Sequence, residues 1–379
     1  MNRLITLFRK WRLRDYTPMI EVLVHKNRLL ENLHAFQGAY PRMEIAPVLK
    51  SNAYGHGLLE IANILDQENC PFLCVDSYFE ALTLRTKKIR SPILVIGYTE
   101  PANLKRPPLQ NIAYAIVGMD HLREIEKNLS SPTSFHLKLD TGMHRQGILP
   151  KEVPEAIALI KKNPRIKIQG VFSHFADADT KNSAFTERQI ETWNKLVRVI
   201  RSEISEVRYT HLAATTGSAF SKKIDANVIR LGLGLYGYDM YSERNISPKP
   251  VLEMRTKITS VREIEKGEFV GYNLTFKAPK KMKIATIPTG YYEGVDRRLG
   301  NKGFVSIEGR ACKIIGRVSM NMASIDISNI PEEHLKKSVI VISAEPYAKN
   351  SVASMARLCK TSHHEILIHI PAHLRRVVV

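Results

Sequence analysis

Residues 46–57 read Ala-Pro-Val-Leu-Lys-Ser-Asn-Ala-Tyr-Gly-His-Gly, a short apolar run that ends at Lys50 and leads into a polar, glycine-rich loop. Seven similar apolar runs follow it before residue 241. The eight runs are Ala46–Leu49, Pro71–Val75, Ile93–Gly97, Ala113–Val117, Phe135–Leu139, Ile168–Phe172, Arg208–His211 and Val228–Leu233. Amphipathic helical stretches such as Pro154–Lys162 and Thr186–Ile204 separate most of them. Alternation of this kind predicts an α/β fold, a (β/α)8 barrel with parallel strands buried on both faces.

After about Tyr241 the pattern changes to short strands separated by Gly, Pro, Asn and charged turns, which predicts a mostly β second domain. The predicted strands are Lys257–Ile264, Met282–Pro288, Gly303–Glu308, Ala311–Ile315, Ala323–Ile327 and Val339–Ser343. Pro248 and Pro250 mark the junction. We therefore predict a basic N-terminal extension over residues 1–19, a barrel over 20–244 and a C-terminal mostly β domain over 245–379.

Composition narrows the class of protein. The 379 residues are 44% hydrophobic and 25% charged, as in ordinary globular proteins, which excludes a disordered chain, a collagen or a coiled coil. No apolar run approaches the ~18 residues of a membrane span. The four cysteines form neither a disulfide framework nor a zinc-ligand pattern, so we expect reduced thiols, no metal and a cytoplasmic location.

The net charge of +19 is the unusual number in the composition. The basic residues are spread along the whole chain, and no nucleic-acid motif accompanies them, so we expect neither nucleic acid nor membrane as a partner. The segment Met1–Asp15 is basic with an apolar core, Leu4–Phe8, that is too short for a signal peptide. It is predicted to be a frayed extension, with a surface-binding helix as the alternative.

Lys50 is the first candidate catalytic residue. It follows a predicted barrel strand, and the carboxyl ends of barrel strands carry the active sites of such folds. Burial on one side favours an amine that forms Schiff bases. On position alone, pairing with a carboxylate remains an equal interpretation.

The motif around Lys50 resembles the lysine motif of the alanine racemase family, V-x-K-A-N-A-Y-G-H-G, and other family motifs follow in order. From about Ile20 to Asp326 these include Lys138-Leu-Asp-Thr-Gly-Met-His-Arg-Gln-Gly147, Gly170-Val-Phe-Ser-His-Phe-Ala176, His211-Leu-Ala-Ala-Thr215, Ile229-Arg-Leu-Gly-Leu-Gly-Leu-Tyr-Gly237, Val270-Gly-Tyr272, Ile287-Pro-Thr-Gly-Tyr-Tyr-Glu-Gly294 and Gly316-Arg-Val-Ser-Met-Asn321. The resemblance implies an enzyme that uses pyridoxal 5′-phosphate (PLP) to interconvert L- and D-alanine, supplying D-alanine for peptidoglycan.

The resemblance also implies a role for each matching residue. Lys50 would bind PLP covalently and act as one catalytic base, and Tyr272 would be the second base, since a racemase needs a base on each face of a planar carbanion. Tyr54, Thr215 and the backbone of Gly232 and Leu233 would bind the phosphate, Arg230 would face the pyridine nitrogen, and His174 and His211 would lie beside it. Arg145 and the Met320 N–H would bind the substrate carboxylate. Lys138 matches a lysine that carries a carbamate in some family members.

In the family, the residues matching Tyr272 and Met320 reach the active site of the other subunit. The resemblance therefore implies a head-to-tail homodimer with composite sites.

Four positions depart from the family pattern. Ser319 and Asn321 replace the usual Cys and Asp, Ala214 replaces Asn, and Ala372 stands where a tyrosine normally contacts the phosphate. These departures affect substrate identity more than reaction type, so a broader or serine-preferring racemase is an alternative prediction.

Three other functions remain to be weighed. A PLP decarboxylase of the same fold would place an acidic residue where Arg230 stands. A PLP-binding regulator without turnover usually lacks the β domain, and a nucleic-acid binder rests on the net charge alone.

Overall fold

The computed structural model describes residues 16–105, 109–180, 183–239 and 246–379. The chain divides into two compact units. One contains His25–Val251, and the other joins the residues up to Val24 to Leu252–Val379. The predicted boundary between residues 244 and 245, and most of the predicted extension 1–19, lie outside the described residues.

The first unit contains the eight predicted barrel strands. They are β2 (Glu44–Pro47), β3 (Leu73–Val75), β4 (Ile93–Val95), β5 (Ile112–Ile116), β6 (Thr133–Lys138), β7 (Ile166–Phe172), β8 (Tyr209–His211) and β9 (Val228–Leu231). Strands β3 to β8 form one parallel sheet in chain order, and β2 pairs in parallel with β9. All residues of β3, β4 and β5 are buried, as expected of barrel strands covered on both faces.

Two sets of backbone contacts join the sheets into a barrel. Val48 forms a parallel bridge with Cys74, which links β2 to β3. The N–H groups of Asn227 and Arg230 donate to the carbonyls of Thr210 and Ala213, both at 3.0 Å, which links β9 to β8. The predicted (β/α)8 barrel is confirmed.

Helices follow the strands on the outside of the barrel. Their bounds are α1 (Lys26–Ala39), α2 (Leu58–Leu65), α3 (Tyr78–Thr86), α4 (Met119–Asn128), α5 (Val153–Lys162) and α6 (Ala184–Glu203). The Ser77 and Ser183 side chains accept from backbone N–H groups in the first turns of α3 and α6. Helix α6 buries a stripe that includes Ile190, Trp193 and Ile200, the amphipathic pattern visible in the sequence.

The second unit is built on a mostly antiparallel sheet that contains all six predicted strands of this region. Its strands are β1 (Glu21–Val24), β10 (Leu252–Thr256), β11 (Ser260–Ile264), β14 (Met282–Ile287), β15 (Phe304–Ile307), β16 (Arg310–Ile315), β17 (Ala323–Asp326), β18 (Val339–Ile342) and β19 (Arg375–Val378). A small hairpin, β12 (Phe269–Val270) with β13 (Phe276–Lys277), and helices α7 (Val352–Cys359) and α8 (His363–Ile368) complete the unit.

Strand β1 lies within the range 20–244 predicted for the barrel, but its partners are in the second unit. It pairs antiparallel with β10 and parallel with β19. Only four residues long, β1 has no local partner, so its place depends on strands more than 200 residues away in the chain.

Candidate active site

The chain leaves β2 through a left-handed turn at the carboxyl end of the barrel. Ser51, Asn52, Ala53 and Tyr54 all have φ between 51° and 56°, a region that costs non-glycine residues roughly 1–2 kcal/mol each. The Glu80 carboxylate holds the turn by accepting from the N–H groups of Ser51 and Asp76, both at 2.8 Å. Lys50 begins this turn, with its Nζ 3.9 Å from Asp76 Oδ1 and its side chain 38% exposed. The structure therefore presents the Lys50 amine at the barrel mouth.

A cradle of backbone N–H groups lies beside Tyr54. The Gly232 and Leu233 N–H groups donate to no acceptor in the described part of the chain, although both residues are buried. A Cβ on Gly232 would lie 2.9 Å from the Tyr54 hydroxyl, so only glycine leaves this space open. The next loop is fixed because Gly234 N–H donates to Thr215 Oγ1 at 3.1 Å. Unpartnered buried N–H groups next to a hydroxyl form an arrangement suited to an oxyanion.

Arg230 is a buried cation rather than a side chain that extends to solvent. Its exposed fraction is 4%, and its guanidinium donates to the carbonyls of Ser173, His211 and Leu212 at 2.7, 2.8 and 3.2 Å. It also contacts His211 Nδ1 at 2.7 Å and His174 Nδ1 at 3.1 Å. Burial lowers the pKa of Arg230 to about 10, so it stays charged at neutral pH.

The histidines around Arg230 are kept neutral. Burial, followed by the Arg230 charge, lowers the pKa of His174 to about 3 and holds that of His211 well below its usual value. His211 Nε2 lies 2.8 Å from Nδ1 of His136, a residue that no sequence motif indicated. Burial lowers the pKa of His136 to about 3 as well. His136 occupies an ordinary position in a strand, and the neighbouring residues in the sequence do not indicate a role for it. Its role depends on contacts with the neighbouring strands.

The loop after β6 positions Lys138 and Arg145. Asp140 Oδ1 accepts from the N–H groups of Gly142 and His144 at 2.9 and 3.1 Å, which shapes the loop. Lys138 Nζ donates to Gln146 Oε1 at 3.0 Å, and burial, followed by the charge of Arg145, lowers the pKa of Lys138 to about 8. Arg145 itself is exposed and makes no hydrogen bond or ion pair with the described residues.

The charges that act on His174 indicate that the candidate barrel residues lie around one mouth. The charges that depress the pKa of His174 belong, after burial and Arg230, to Arg145, Lys50 and Lys138. The structure thus brings together the barrel residues named from the sequence: Lys50, Tyr54, Arg145, His174, His211, Thr215, Arg230, Gly232 and Leu233.

Tyr272 and Met320 lie in the second unit, on exposed loops. Their exposed fractions are 69% and 55%. The Met320 loop is anchored because Asn321 Nδ2 donates to the buried Glu293 carboxylate at 2.7 Å, and that carboxylate also accepts from Gly290 N–H at 2.8 Å. The Tyr292 N–H donates to the Met320 carbonyl at 2.9 Å.

A barrel with an amine, a buried cation and an oxyanion cradle at its carboxyl end, joined in one chain to a β unit, defines a class of two-domain barrel enzymes. The family model of the alanine racemase N-terminal domain matches residues 24–240, and that of the alanine racemase C-terminal domain matches residues 251–378. This chain belongs to the alanine racemase family.

The chain is similar to individual alanine racemases over most of their length. The chain is 30% identical to an alanine racemase of Clostridium tetani over 93% of both chains, and 31% identical to one of Lactobacillus acidophilus over 89% of this chain and 91% of the other. An alanine racemase from Bacillus anthracis, solved with bound L-Ala-P, superposes with a TM-score of 0.87 at 27% identity and covers 96% of each chain. These findings confirm the predicted family, the two-part fold and the racemase function. No helix in the described ranges combines the length and apolar character needed to cross a membrane.

Proposed function

We propose that this chain interconverts L- and D-alanine with PLP at the barrel mouth, as a cytoplasmic homodimer that supplies D-alanine for peptidoglycan. The observation that carries the proposal is the pair of unpartnered N–H groups at Gly232 and Leu233 beside the Tyr54 hydroxyl. A phosphate needs such donors, and here they lie in the same mouth as the Lys50 amine.

The residues at the mouth fit PLP at both of its ends. Tyr54, Thr215 and the Gly232–Leu233 backbone would hold the phosphate, and Arg230 would meet the pyridine nitrogen, with His174 and His211 orienting the guanidinium. When bound, PLP supplies an electron-withdrawing ring that stabilises negative charge at the substrate Cα. The fixed charge of Arg230 opposes protonation of that ring, which moderates the electron sink and disfavours decarboxylation and transamination.

Two residues of the chain would move the Cα proton. Lys50 acts on the D-enantiomer from one face, and Tyr272 acts on the L-enantiomer from the opposite face. Because each residue serves one face, loss of either should stop racemisation while leaving the remaining base in place.

Two donors would hold the substrate carboxylate. Arg145 presents a guanidinium with no partner among the described residues, and its planar donors match a carboxylate. The Met320 N–H, on the loop anchored by Glu293 and Asn321, would add a further hydrogen bond.

The exposure of Tyr272 supports the dimer. A catalytic base that is 69% exposed needs a surrounding that excludes water, and a partner subunit would provide it. We propose that Tyr272 and Met320 of each subunit complete the barrel site of the other.

A direct test is to reduce the PLP-loaded protein with borohydride and map the labelled peptide. We expect the label on Lys50, together with D-alanine formation from L-alanine measured by chiral chromatography. A label on another lysine, or no D-product, would contradict the assignment.

Tyr272→Phe tests the second base. We expect PLP to remain bound, since Tyr272 lies outside the cradle, while turnover falls by about 10²–10⁴-fold. Tyr347→Phe, which removes an exposed phenol hydroxyl from the same unit outside the proposed site, is the matched control. Wild-type turnover in Tyr272→Phe would remove this residue from the mechanism.

A further inference from the structure

A cavity of about 610 Å³ opens near the amino-terminal ends of strands β3 to β8. Its lining includes Phe72, His136, Gln169, Arg208 and Tyr209. Lys50 and the Gly232–Leu233 cradle follow the carboxyl ends of their strands, so this cavity is at the other end of the barrel. Its volume is in the usual range for small-molecule sites, about 300–1,000 Å³.

A chain of hydrogen bonds fixes the tautomer of His136, which lines this cavity. Arginine has only donors, so Arg230 must donate to Nδ1 of His211, and the proton of neutral His211 is then on Nε2. That proton is donated to His136 Nδ1 at 2.8 Å, so neutral His136 carries its own proton on Nε2. The permanent charge of Arg230 therefore sets both tautomers.

The His136 Nε2–H group has no acceptor among the described residues. His136 is 1% exposed, and its ring is held between Phe72, edge-on at 5.3 Å, and the backbone of Gly170, where a Cβ would come within 2.5 Å of Nδ1. A side chain this confined cannot turn to find another partner. The cavity thus contains a buried donor of fixed direction.

The cavity rim adds positive charge. The Arg208 guanidinium lies 4.9 Å above the Tyr209 ring and forms no ion pair with the described residues. The acidic lining residue, Glu206, is compensated by Lys167 at 3.5 Å. The lining therefore combines aromatic surface, one buried N–H donor and one available cation.

We propose that this cavity is a second small-molecule site, which binds an aromatic carboxylate through the His136 Nε2–H group and the Arg208 guanidinium. The ring of such a ligand packs against Phe72 and Tyr209, and its carboxylate accepts from the buried donor. The ligand would contact none of the groups proposed to touch PLP or the substrate carboxylate, although Arg230 and His211 fix the His136 tautomer from the other side.

The test uses benzoate as the probe and benzamide as its neutral counterpart, with binding to the PLP-loaded protein measured by titration calorimetry. We expect benzoate to bind and benzamide to bind at least about fivefold more weakly, because charged acceptors form stronger hydrogen bonds. Arg208→Gln should weaken benzoate about two- to fivefold, the size expected for an exposed charge. Gln169→Trp, which fills the cavity, should abolish binding.

Two controls separate this site from the barrel mouth. Arg198→Gln removes an exposed arginine of α6 outside the cavity, and Arg145→Ala removes the proposed carboxylate ligand at the mouth. Both variants should bind benzoate as the wild type does. The ring ¹⁵N resonance of His136 should shift on addition of benzoate to labelled protein.

The proposal is overturned if benzoate does not bind, if Gln169→Trp retains binding, or if Arg145→Ala loses it. The last outcome would place the benzoate at the barrel mouth. Since Gln169 and Arg208 are both exposed, their substitution tests the site without disturbing the barrel core.

Discussion

Two buried cations in the barrel mouth are stabilised to very different extents. The Nη1 and Nη2 groups of Arg230 contact three carbonyl oxygens and two imidazole nitrogens. Lys138 has the Gln146 amide and no ion pair among the described residues, and the pKa of Lys138 falls to about 8. Burying a charge without full compensation is costly, so Lys138 is the more costly cation to keep charged.

Substitution of Lys138 should change how stability depends on pH. The folded-state pKa, about 8, lies below the ordinary lysine value of 10.5, so the folded protein binds fewer protons than the unfolded chain between these pH values. The cost of the buried charge is fully present below pH 8 and disappears as pH rises towards 10.5. We expect Lys138→Met to be more stable than wild type at pH 7, by at most about 3 kcal/mol, with a difference that shrinks by pH 9.5. Urea unfolding at both pH values measures this, and a difference that does not vary with pH would contradict it.

Ala372 stands where the resemblance to the family implies a tyrosine. The residue is exposed, and its neighbour His373 stacks on Tyr292 at 5.0 Å. We expect Ala372→Tyr to raise the preference for alanine over serine by about 10–200-fold in kcat/KM, the usual range for size discrimination. The ratio of kcat/KM for L-alanine and L-serine measures it. A change within about twofold would mean that the His373–Tyr292 pair already limits the space.

Most candidate site residues could be proposed from the sequence because they occur in contiguous motifs. His136 and Glu80 were missed because their roles depend on contacts across strands or turns, at His211 and Ser51. Gln146 was also missed, since nothing in the sequence indicates that its amide reaches Lys138.

Among the elements, the left-handed turn after β2 is the most strained part of the site. Four consecutive non-glycine residues at positive φ need support from outside the turn. The Glu80 carboxylate, at the start of α3, accepts one hydrogen bond from Ser51 N–H in the turn and one from Asp76 N–H at the end of β3. Asn52 Oδ1 closes the turn by accepting from Leu58 N–H at 2.9 Å. The turn therefore sets the position of Lys50 and Tyr54 together.

Glu80→Gln should loosen this turn. A glutamine keeps one acceptor and places an NH2 group against a backbone N–H, so one hydrogen bond is lost. We expect PLP affinity to fall about three- to tenfold, in line with the loss of one hydrogen bond to a charged group on a half-exposed side chain. Titration of the apoprotein with PLP measures the affinity, with Glu191→Gln on α6 as the control. Equal affinities in the two variants would show that Glu80 does not position the turn.

The elements predicted best are those with a local signal. All eight barrel strands and six strands of the second unit coincide with apolar runs in the sequence. Strands β1, β10, β12, β13 and β19 and the helices α7 and α8 were not predicted, because each is eight residues or shorter and has little local sequence pattern. Arg375–Val378 in particular has two charged residues and no apolar alternation.

At the scale of the whole molecule, the second unit exposes a patch of large apolar side chains. The members are Tyr272, Leu274, Tyr291, Tyr292, Met320 and Met322, each between 44% and 69% exposed. Close backbone approaches join their loops, since a Cβ on Gly290 would lie 2.3 Å from the Ser319 carbonyl and one on Gly316 would lie 2.6 Å from the Val270 carbonyl. A patch of this kind is typical of a protein interface.

Leu274→Asp should disrupt the proposed dimer. Leu274 has φ of 50°, a conformation that aspartate tolerates, so the loop itself should be preserved while a charge enters the interface. We expect a shift towards monomer in light scattering together with loss of racemase activity. Tyr347→Asp, at a residue of the same unit that is 97% exposed, should do neither. A dimer of full activity in Leu274→Asp would exclude this patch as the interface.

The pairing of β1 with β10 and β19 has a consequence for synthesis on the ribosome. Val24 pairs with Val378, so the first strand of the sheet must wait for nearly the whole chain to be translated, roughly 20–70 s at ordinary elongation rates. The segment that forms the barrel emerges in between and contains its own strand partners, so it can fold during the wait. Until β19 has been synthesised, one edge of β1 lacks its final partner strand. An unpaired strand edge is an aggregation risk, and the length of only four residues keeps this risk small. Strand β1 therefore waits for its last partner long after it has itself left the exit tunnel.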